Sequence, residues 1–168
     1  MKKMKQIMKD EEGLTLVELL AVVVIMAIIA GIAAVSISKV IQRSREDAQV
    51  VNVQQMMASA NLYDIQEEEG LTQNTTLLDL KEKGVIKSYE FVKGEKDKKE
   101  ATAKNIKFSK NVKDGEIYIE LPANSLTAGQ KTNKPFTGND SKTGLTESNV
   151  GSLTRDKLFG DAPGSESK

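Results

Sequence analysis

The sequence predicts an α+β protein in which one long N-terminal helix packs against a small antiparallel sheet. Residues 19–35 contain no polar side chain. Residues 36–69 contain neither Pro nor Gly, and apolar or small residues recur there in alternating steps of four and three, the spacing of one helix face. Residues 116–121 alternate between polar and apolar side chains, which is the pattern of a half-buried strand.

The apolar stretch is long enough to cross a membrane. From Leu14 to Ile37 a helix extends about 36 Å, which exceeds the ~30 Å hydrocarbon layer. A helix that is apolar on all sides is rare in soluble domains, so we predict residues 14–37 as a single membrane-crossing helix. Glu18 lies one turn inside it. Because a carboxylate at the centre of a spanning helix costs about 3 kcal/mol or more, either Glu18 stays hydrated at the interface or a positive charge offsets it.

The residues around Glu18 resemble a known processing signal. A short basic leader, then Gly13, then Leu14-Thr15-Leu16-Val17 and Glu18, is similar to the class III signal of type IV pilins and pseudopilins. The resemblance covers about residues 1–45. It implies a leader of residues 1–13, cleavage between Gly13 and Leu14, N-methylation of Leu14, and a role for Glu18 in docking each subunit into a filament.

Two features of this signal depart from the usual family pattern. The first residue after the cleavage point is Leu14, where the family usually has Phe. No Pro occurs near Val35, where the family often has one to soften the helix. Gly31 supplies some of that softness, since Gly costs about 1 kcal/mol relative to Ala inside a helix. Cleavage would leave Leu14 with a charged amine about one turn from Glu18.

An ordinary secretory signal peptide is the alternative interpretation of the N-terminus. A basic region followed by an apolar region fits both signals, and Gly31-Ile32-Ala33 offers small residues at a suitable spacing for signal peptidase. Acidic residues at positions 10–12 and 18 interrupt the transition into the apolar region. The pilin interpretation is therefore favoured.

The charges near the N-terminus predict the orientation of the helix in the membrane, and the resemblance to type IV pilins implies the partners. Lys2, Lys3, Lys5 and Lys9 favour a cytoplasmic N-terminus, although basic residues also follow the apolar run at positions 39, 43 and 45. The resemblance implies a single-pass cell-membrane protein before assembly and an extracellular filament afterwards. The implied partners are copies of itself, other pilins, a prepilin peptidase, an assembly ATPase and a platform membrane protein.

Residues 38–69 are predicted to continue the helix in amphipathic form. They would pack against the sheet or, alternatively, form an isolated coiled coil. Gly70 is a natural stop for this helix. The expected packing face consists of Ile37, Ile41, Ser44, Ala48, Val51, Gln55, Ala58, Leu62 and Ile65. Ser44 and Gln55 are its polar exceptions. Val40, Val53 and Met57 are expected to widen it.

Residues 70–122 are predicted to form a small headgroup. Thr75 or Thr76 is expected to cap a short helix that runs to Lys83 and ends at Gly84. About three strands are expected, with one sheet face on the helix and the other toward solvent. The strand candidates are residues 85–92, 106–108 and 116–121, with a solvated loop at 95–100 and a turn at Asp114-Gly115.

Residues 123–168 are polar and sparse in large apolar side chains, which predicts a loop-rich or disordered region. An exposed variable region that decides what a filament touches is the functional alternative. Asn139-Asp140-Ser141 and residues 156–161 offer oxygen ligands for calcium, but the spacing of an EF-hand is missing, so no metal site is expected.

Composition narrows the function. The chain has 168 residues and contains no Cys, His or Trp, so disulfides and the commonest catalytic groups are excluded. We therefore expect no enzyme, no catalytic residue and no cofactor. Removing residues 1–13 leaves 20 basic against 21 acidic residues, which does not favour direct binding of nucleic acid. The predicted function is a structural subunit of a type IV pilus-like filament for adhesion, motility, DNA uptake or secretion. The alternative is a non-polymerising single-pass membrane protein with an extracytoplasmic binding domain.

Overall fold

A computed structural model gives the fold of residues 2–72, 74–136 and 145–160, with side chains from Thr15 onward except those of residues 96 and 97. The chain divides into two compact units, Met1–Ile41 and Gln42–Lys168. The helices are α1 (Lys2–Gln66), α2 (Leu77–Glu82), α3 (Lys96–Asn105), α4 (Glu147–Val150) and α5 (Arg155–Phe159). The strands are β1 (Thr75–Thr76), β2 (Lys107–Lys110), β3 (Ile117–Glu120), β4 (Thr127–Ala128), β5 (Lys131–Thr132) and β6 (Leu145–Thr146). This confirms the α+β layout of the pilin type, with a long N-terminal helix and a small antiparallel sheet.

In the first unit, helix α1 is apolar and open to its surroundings. Every described side chain from Thr15 to Ile41 is exposed. Ser36 and Ser38, near the end of the apolar stretch, donate their hydroxyl hydrogens to the carbonyl oxygens of Ile32 and Ala34 at 3.2 and 2.9 Å. These bonds satisfy the hydroxyl donors within the helix itself, so the two serines add no unsatisfied donor to the apolar surface.

In the second unit, helix α1 does not bury the regular repeat that was expected to pack. Val50, Val53, Met56, Met57 and Ala60 lie in the hydrophobic core and are at most 9% exposed. Val53 and Met57, which were expected to widen the packing face, are buried as predicted, but the residues of its regular repeat are exposed, so the predicted repeat was wrong. We call this exposed set the outer stripe: Ser44, Ala48, Val51, Gln55, Ala58, Leu62 and Ile65.

Helix α1 ends at Gln66, and Asp64 anchors the chain that leaves it. The Asp64 carboxylate accepts hydrogen bonds from the Leu71 N–H at 3.0 Å and from Lys110 Nζ at 2.6 Å. Gly70 has φ +63°, and a Cβ at this position would lie 2.8 Å from Asp64 Oδ1. The positive φ and the close carboxylate both require glycine here.

The short helix predicted after residue 75 is confirmed as α2. The Thr76 hydroxyl accepts a hydrogen bond from the Asp79 N–H, and the Asp79 carboxylate accepts one from the Thr76 N–H, which together form a capping box. Leu77 and Leu80 point into the core. Gly84 follows the helix with φ +75°.

The main sheet has the order β1-β2-β3-β6, and every neighbouring pair is antiparallel. Strands β2 and β3 confirm two of the expected strands, and Gly115 lies in the turn between them with φ +72°. Ile117, Tyr118 and Ile119 are all buried, so the central strand β3 is covered on both faces. The expectation that one sheet face is open to solvent does not hold at this strand.

Two local predictions in the headgroup were wrong. Residues 85–92 form no strand; only Val92 makes an isolated bridge, to Leu126. Residues 95–100, expected as a loop, lead into helix α3, which buries Ala103. Lys98, Glu100 and Lys104 are exposed on α3, and Lys104 pairs with Glu100 at 2.8 Å with the i,i+4 spacing that supports a helix.

The described part of residues 123–160 contributes to the core through short elements joined by loops. Strands β4 to β6 and helices α4 and α5 all lie here. The few large apolar residues of this region account for this contribution, because each belongs to the core or packs against it: Leu126, Phe136, Leu145, Val150, Leu153, Leu158 and Phe159.

Candidate processing and assembly site

Helix α1 carries all three residues expected to direct processing and assembly. Gly13, Leu14 and Glu18 lie within its bounds, so the backbone from Leu14 to Glu18 completes about one helical turn. The side chains of residues 2–14 lie outside the described set. The geometry places Glu18 on the same side of the helix as the backbone nitrogen that cleavage would convert to an amine.

Glu18 is exposed within an apolar surface. Leu16, Val17, Leu19 and Leu20 around it are 64–69% exposed. Among the described residues Glu18 forms no salt bridge. In water this arrangement satisfies the carboxylate and leaves the aliphatic side chains unfavourably hydrated; in lipid or among other helices the situation is reversed.

The exposed apolar surface of the first unit is too large for a protein that remains in water. Sixteen large apolar side chains between Leu16 and Ile41 are each 46–69% exposed. Burial of one such side chain contributes about 1.5–3 kcal/mol, so their full burial would contribute on the order of tens of kcal/mol. Helix α1 is also long and apolar enough to cross a membrane. The surface therefore requires lipid, or the apolar side chains of other helices, as its surroundings.

Comparison with known protein families identifies this segment. Residues 8–34 match the family model described as the prokaryotic N-terminal methylation motif. The segment is a class III prepilin signal. Signals of this class are found in precursors of type IV pilins and pseudopilins, and the matched residues include Gly13, Leu14 and Glu18. No curated protein and no solved structure matches the chain.

The prepilin signal ends before the second unit. In that unit, polar side chains of helix α1 bind backbone carbonyl oxygens of distant segments of the chain. Gln49 donates from Nε2 to the carbonyl oxygens of Phe91 at 3.2 Å and Thr127 at 2.9 Å. Gln42 donates to the carbonyl oxygen of Ala128 at 2.7 Å. Sequence reasoning missed these residues, although two glutamines seven positions apart on one helix face were a signal that could have revealed them.

Glu46 completes this polar attachment between the two glutamines. Its carboxylate is buried and accepts a hydrogen bond from Gln42 Nε2 at 2.8 Å. Lys131 Nζ of strand β5 lies 3.2 Å from the same carboxylate. The hairpin of β4 and β5 is thus held to helix α1 mainly by hydrogen bonds and an ion pair.

A groove of about 510 Å³ lies beside the end of helix α1, lined in part by Tyr63, Glu67, Asp79 and Lys83. Lys83 pairs with Glu67 at 2.5 Å, and this hydrogen bond raises the pKa of Lys83. Burial, and then the charge of Glu67, raises the pKa of Tyr63. Lys83 is thus paired with Glu67, and Asp79 is used in the capping box of helix α2.

The described residues offer no metal centre. Within residues 15–72, 74–95, 98–136 and 145–160, no three acidic side chains come close enough together to hold a metal ion. Of the two calcium candidates named from the sequence, residues 139–141 and residue 161 lie outside the described set, and Asp156 lies in the first turn of helix α5, which Thr154 caps.

Proposed function

We propose that this chain is a structural subunit of a type IV pilus-like filament. The class III prepilin signal at residues 8–34 carries the proposal, and the exposed apolar surface of helix α1 supports it. Before assembly residues 14–37 lie in the cell membrane with the N-terminus in the cytoplasm. A prepilin peptidase cuts between Gly13 and Leu14, and Leu14 is methylated at its new amino group.

Assembly exchanges lipid for other copies of the same helix. Lipid tails and aliphatic side chains are similarly apolar, so the transfer of residues 14–37 into a bundle changes the hydrophobic free energy little. Close packing then decides the geometry, and small residues let helices approach one another. Those in this segment include Ala21, Ala27, Ala30, Gly31, Ala33 and Ala34.

Glu18 selects the register of the bundle. A buried carboxylate without a positive partner is strongly unfavourable, whereas the amine of a processed Leu14 offers a matching charge. The amine of a neighbouring copy satisfies Glu18 only at one relative position of the two helices. Register is therefore specified by one ion pair in an otherwise uniform apolar surface.

The subunit reaches the cell surface through partners that its own residues do not identify. An assembly ATPase, a platform membrane protein and other pilins belong to the proposed system. Adhesion, motility, DNA uptake and secretion are all compatible with such a filament. With 20 basic and 21 acidic residues after processing, the subunit has no excess positive charge for holding DNA directly.

Intact-mass analysis of membrane-extracted protein tests the processing step. The expected mass corresponds to a chain that starts at methylated Leu14. A chain that starts at Met1 would contradict the proposal and support a non-polymerising single-pass protein. A chain that starts at Ala34 would instead establish cleavage by ordinary signal peptidase.

Electron microscopy of surface fibres tests the assembly step. Glu18→Ala and Glu18→Leu are expected to abolish fibres while the processed chain stays in the membrane. Glu68→Ala provides a matched control, because Glu68 is an exposed carboxylate in the second unit. Normal fibres from the Glu18 variants would refute the role given to this residue.

A further inference from the structure

Helix α1 of the second unit has two apolar faces, and the structure covers only one of them. Val53 and Ala60 lie in the core, whereas Val51 and Ala58 are exposed. Residues two positions apart on a helix point about 200° from each other, so the outer stripe lies opposite the core face. A helix on the surface of a lone domain normally carries polar side chains on that side.

The spacing of the outer stripe is that of a helix–helix seam. From Ser44 to Ile65 its members alternate in steps of four and three, which is a repeat of 3.5 residues over three heptads. None of them is charged. Ser44, Ala48 and Ala58 are small and permit a close approach, while Gln55 provides one polar position of the kind that specifies register in coiled coils.

The apolar members of the outer stripe are left open to solvent. Ile65 is 80% exposed, Val51 58% and Leu62 42%. The positions beside the stripe carry one basic residue, Arg45, and one acidic residue, Asp47, so no single-sign charge field repels an identical neighbour there. The other flanking residues are uncharged: Asn52, Gln54, Ser59, Asn61 and Gln66.

We propose that the outer stripe packs against the outer stripe of a second copy of this chain. The inference rests on the proposed function, because area alone does not hold such a contact together. A stripe of 22 residues is about 33 Å long and about 10 Å wide, so it buries roughly 330 Å² per copy, against about 800 Å² per partner in a stable complex. A contact of this size is sufficient only between copies that the apolar segment of helix α1 already holds side by side.

The shared membrane orientation makes the two helices parallel. In a parallel pair, a heptad seam is preserved when the copies are in register or displaced by seven residues. Val51 then faces either Val51 or Ala58 of the neighbouring copy. The helix contacts between subunits therefore continue beyond the membrane segment, to about residue 65.

Disulfide trapping in fibres tests this contact, because the chain contains no native cysteine. In the variant Val51→Cys/Ala58→Cys, the two sulfurs cannot bridge within one chain, since positions seven apart on a helix are about 10.5 Å from each other. Mild oxidation is expected to convert most chains into dimers and higher multimers. The control is Lys98→Cys/Asn105→Cys, which has the same spacing on the exposed side of helix α3.

A charge placed in the seam tests the same contact without cysteine. Ala58→Glu is expected to reduce fibre yield by about tenfold or more, because assembly would bury an unpaired carboxylate. Ala101→Glu changes an equally exposed helical alanine away from the stripe, and it is expected to retain fibre yield within about twofold.

The outcomes separate this inference from the proposed function. Native fibres in which the stripe variant cross-links no more than the α3 control would overturn the stripe contact and leave the filament subunit standing. Cross-linking to a protein of different mass would also overturn the contact between identical copies. Absence of fibres from the native chain, together with an intact N-terminus at Met1, would overturn both.

Discussion

Replacement of Gln49 by Glu tests how helix α1 is fastened to the second unit. Gln49 is 8% exposed and donates both amide hydrogens to backbone carbonyl oxygens, those of Phe91 and Thr127. Its own oxygen accepts a hydrogen bond from Asn52 Nδ2 at 3.0 Å. Glu has the same shape but no donor, so the substitution places a carboxylate against two carbonyl oxygens.

The expected loss is large because two penalties add. Each carbonyl oxygen left without its donor costs about 1–3 kcal/mol. A buried charge without a partner raises the total, so we expect the free energy of unfolding of the second unit to fall by about 3–5 kcal/mol at pH 7. That is a third or more of the stability of many domains, which is about 5–15 kcal/mol.

Hydrogen exchange of the β2 and β3 amides in the detergent-solubilised full chain measures this free energy. Gln55→Glu is the control, since Gln55 lies on the same helix and is exposed. Burial raises the pKa of the new carboxyl at position 49, so the part of its penalty that comes from the buried charge is absent below about pH 4 and grows as the pH rises. Equal stability of the two variants at pH 7 would refute the proposed attachment.

Three further substitutions test the core and the end of helix α1, and each is measured by the same exchange assay. Met56→Ala is expected to destabilise the second unit by about 3 kcal/mol, because Met56 is fully buried; a loss below about 1 kcal/mol would contradict this. Gly70→Ala is expected to cost at least about 1 kcal/mol more than Gly84→Ala, since both glycines have positive φ but only Gly70 has a carboxylate 2.8 Å from the added Cβ. Burial opposes ionisation of Asp64, but the hydrogen bonds from Lys110 and the Leu71 N–H outweigh it and lower its pKa from the ordinary 3.8. The stability that Asp64 provides is therefore complete above pH 3.8 and is lost as the pH falls through the lower folded-state pKa, and Asp64→Asn is expected to flatten that acid limb.

Local chemistry predicted the parts of the fold that depend on nearby residues. The cap at Thr76, the exit at Gly84 and the turn at Gly115 each follow from two or three neighbouring side chains. The apolar run and the Gly13-to-Glu18 spacing predicted the prepilin signal, because both lie within one short segment.

The periodicity of the sequence did not predict which face of helix α1 packs against the core. Helix α1 carries two apolar faces, and the more regular one is the outer stripe, so a search for the strongest repeat selects the face that the core does not use. Gln49 was hidden for a related reason: a buried amide looks polar in the sequence until its two carbonyl partners are brought to it by distant segments.

The remaining differences between the predicted and the observed fold lie in helix α3, which is highly charged, and in the C-terminal region, where apolar residues are sparse. Helix α3 is highly charged, but Ala103 and the neighbouring Ile106 are enough to hold it on the core. In the C-terminal region, widely separated residues such as Leu126 and Phe159 each fill a place in the core. The average composition of a segment does not reveal that a few isolated apolar residues are buried in the core.

Helix α1 runs without interruption across the Gly13–Leu14 peptide bond. A protease requires the scissile backbone in an extended form, so the proposed cut demands that at least one turn of helix first unwinds. Gly13 weakens the helix at that position by about 1 kcal/mol relative to Ala. In the proposed cut, this glycine would lower the energy of the melted form that a peptidase captures, which is a conformational purpose beyond its small size.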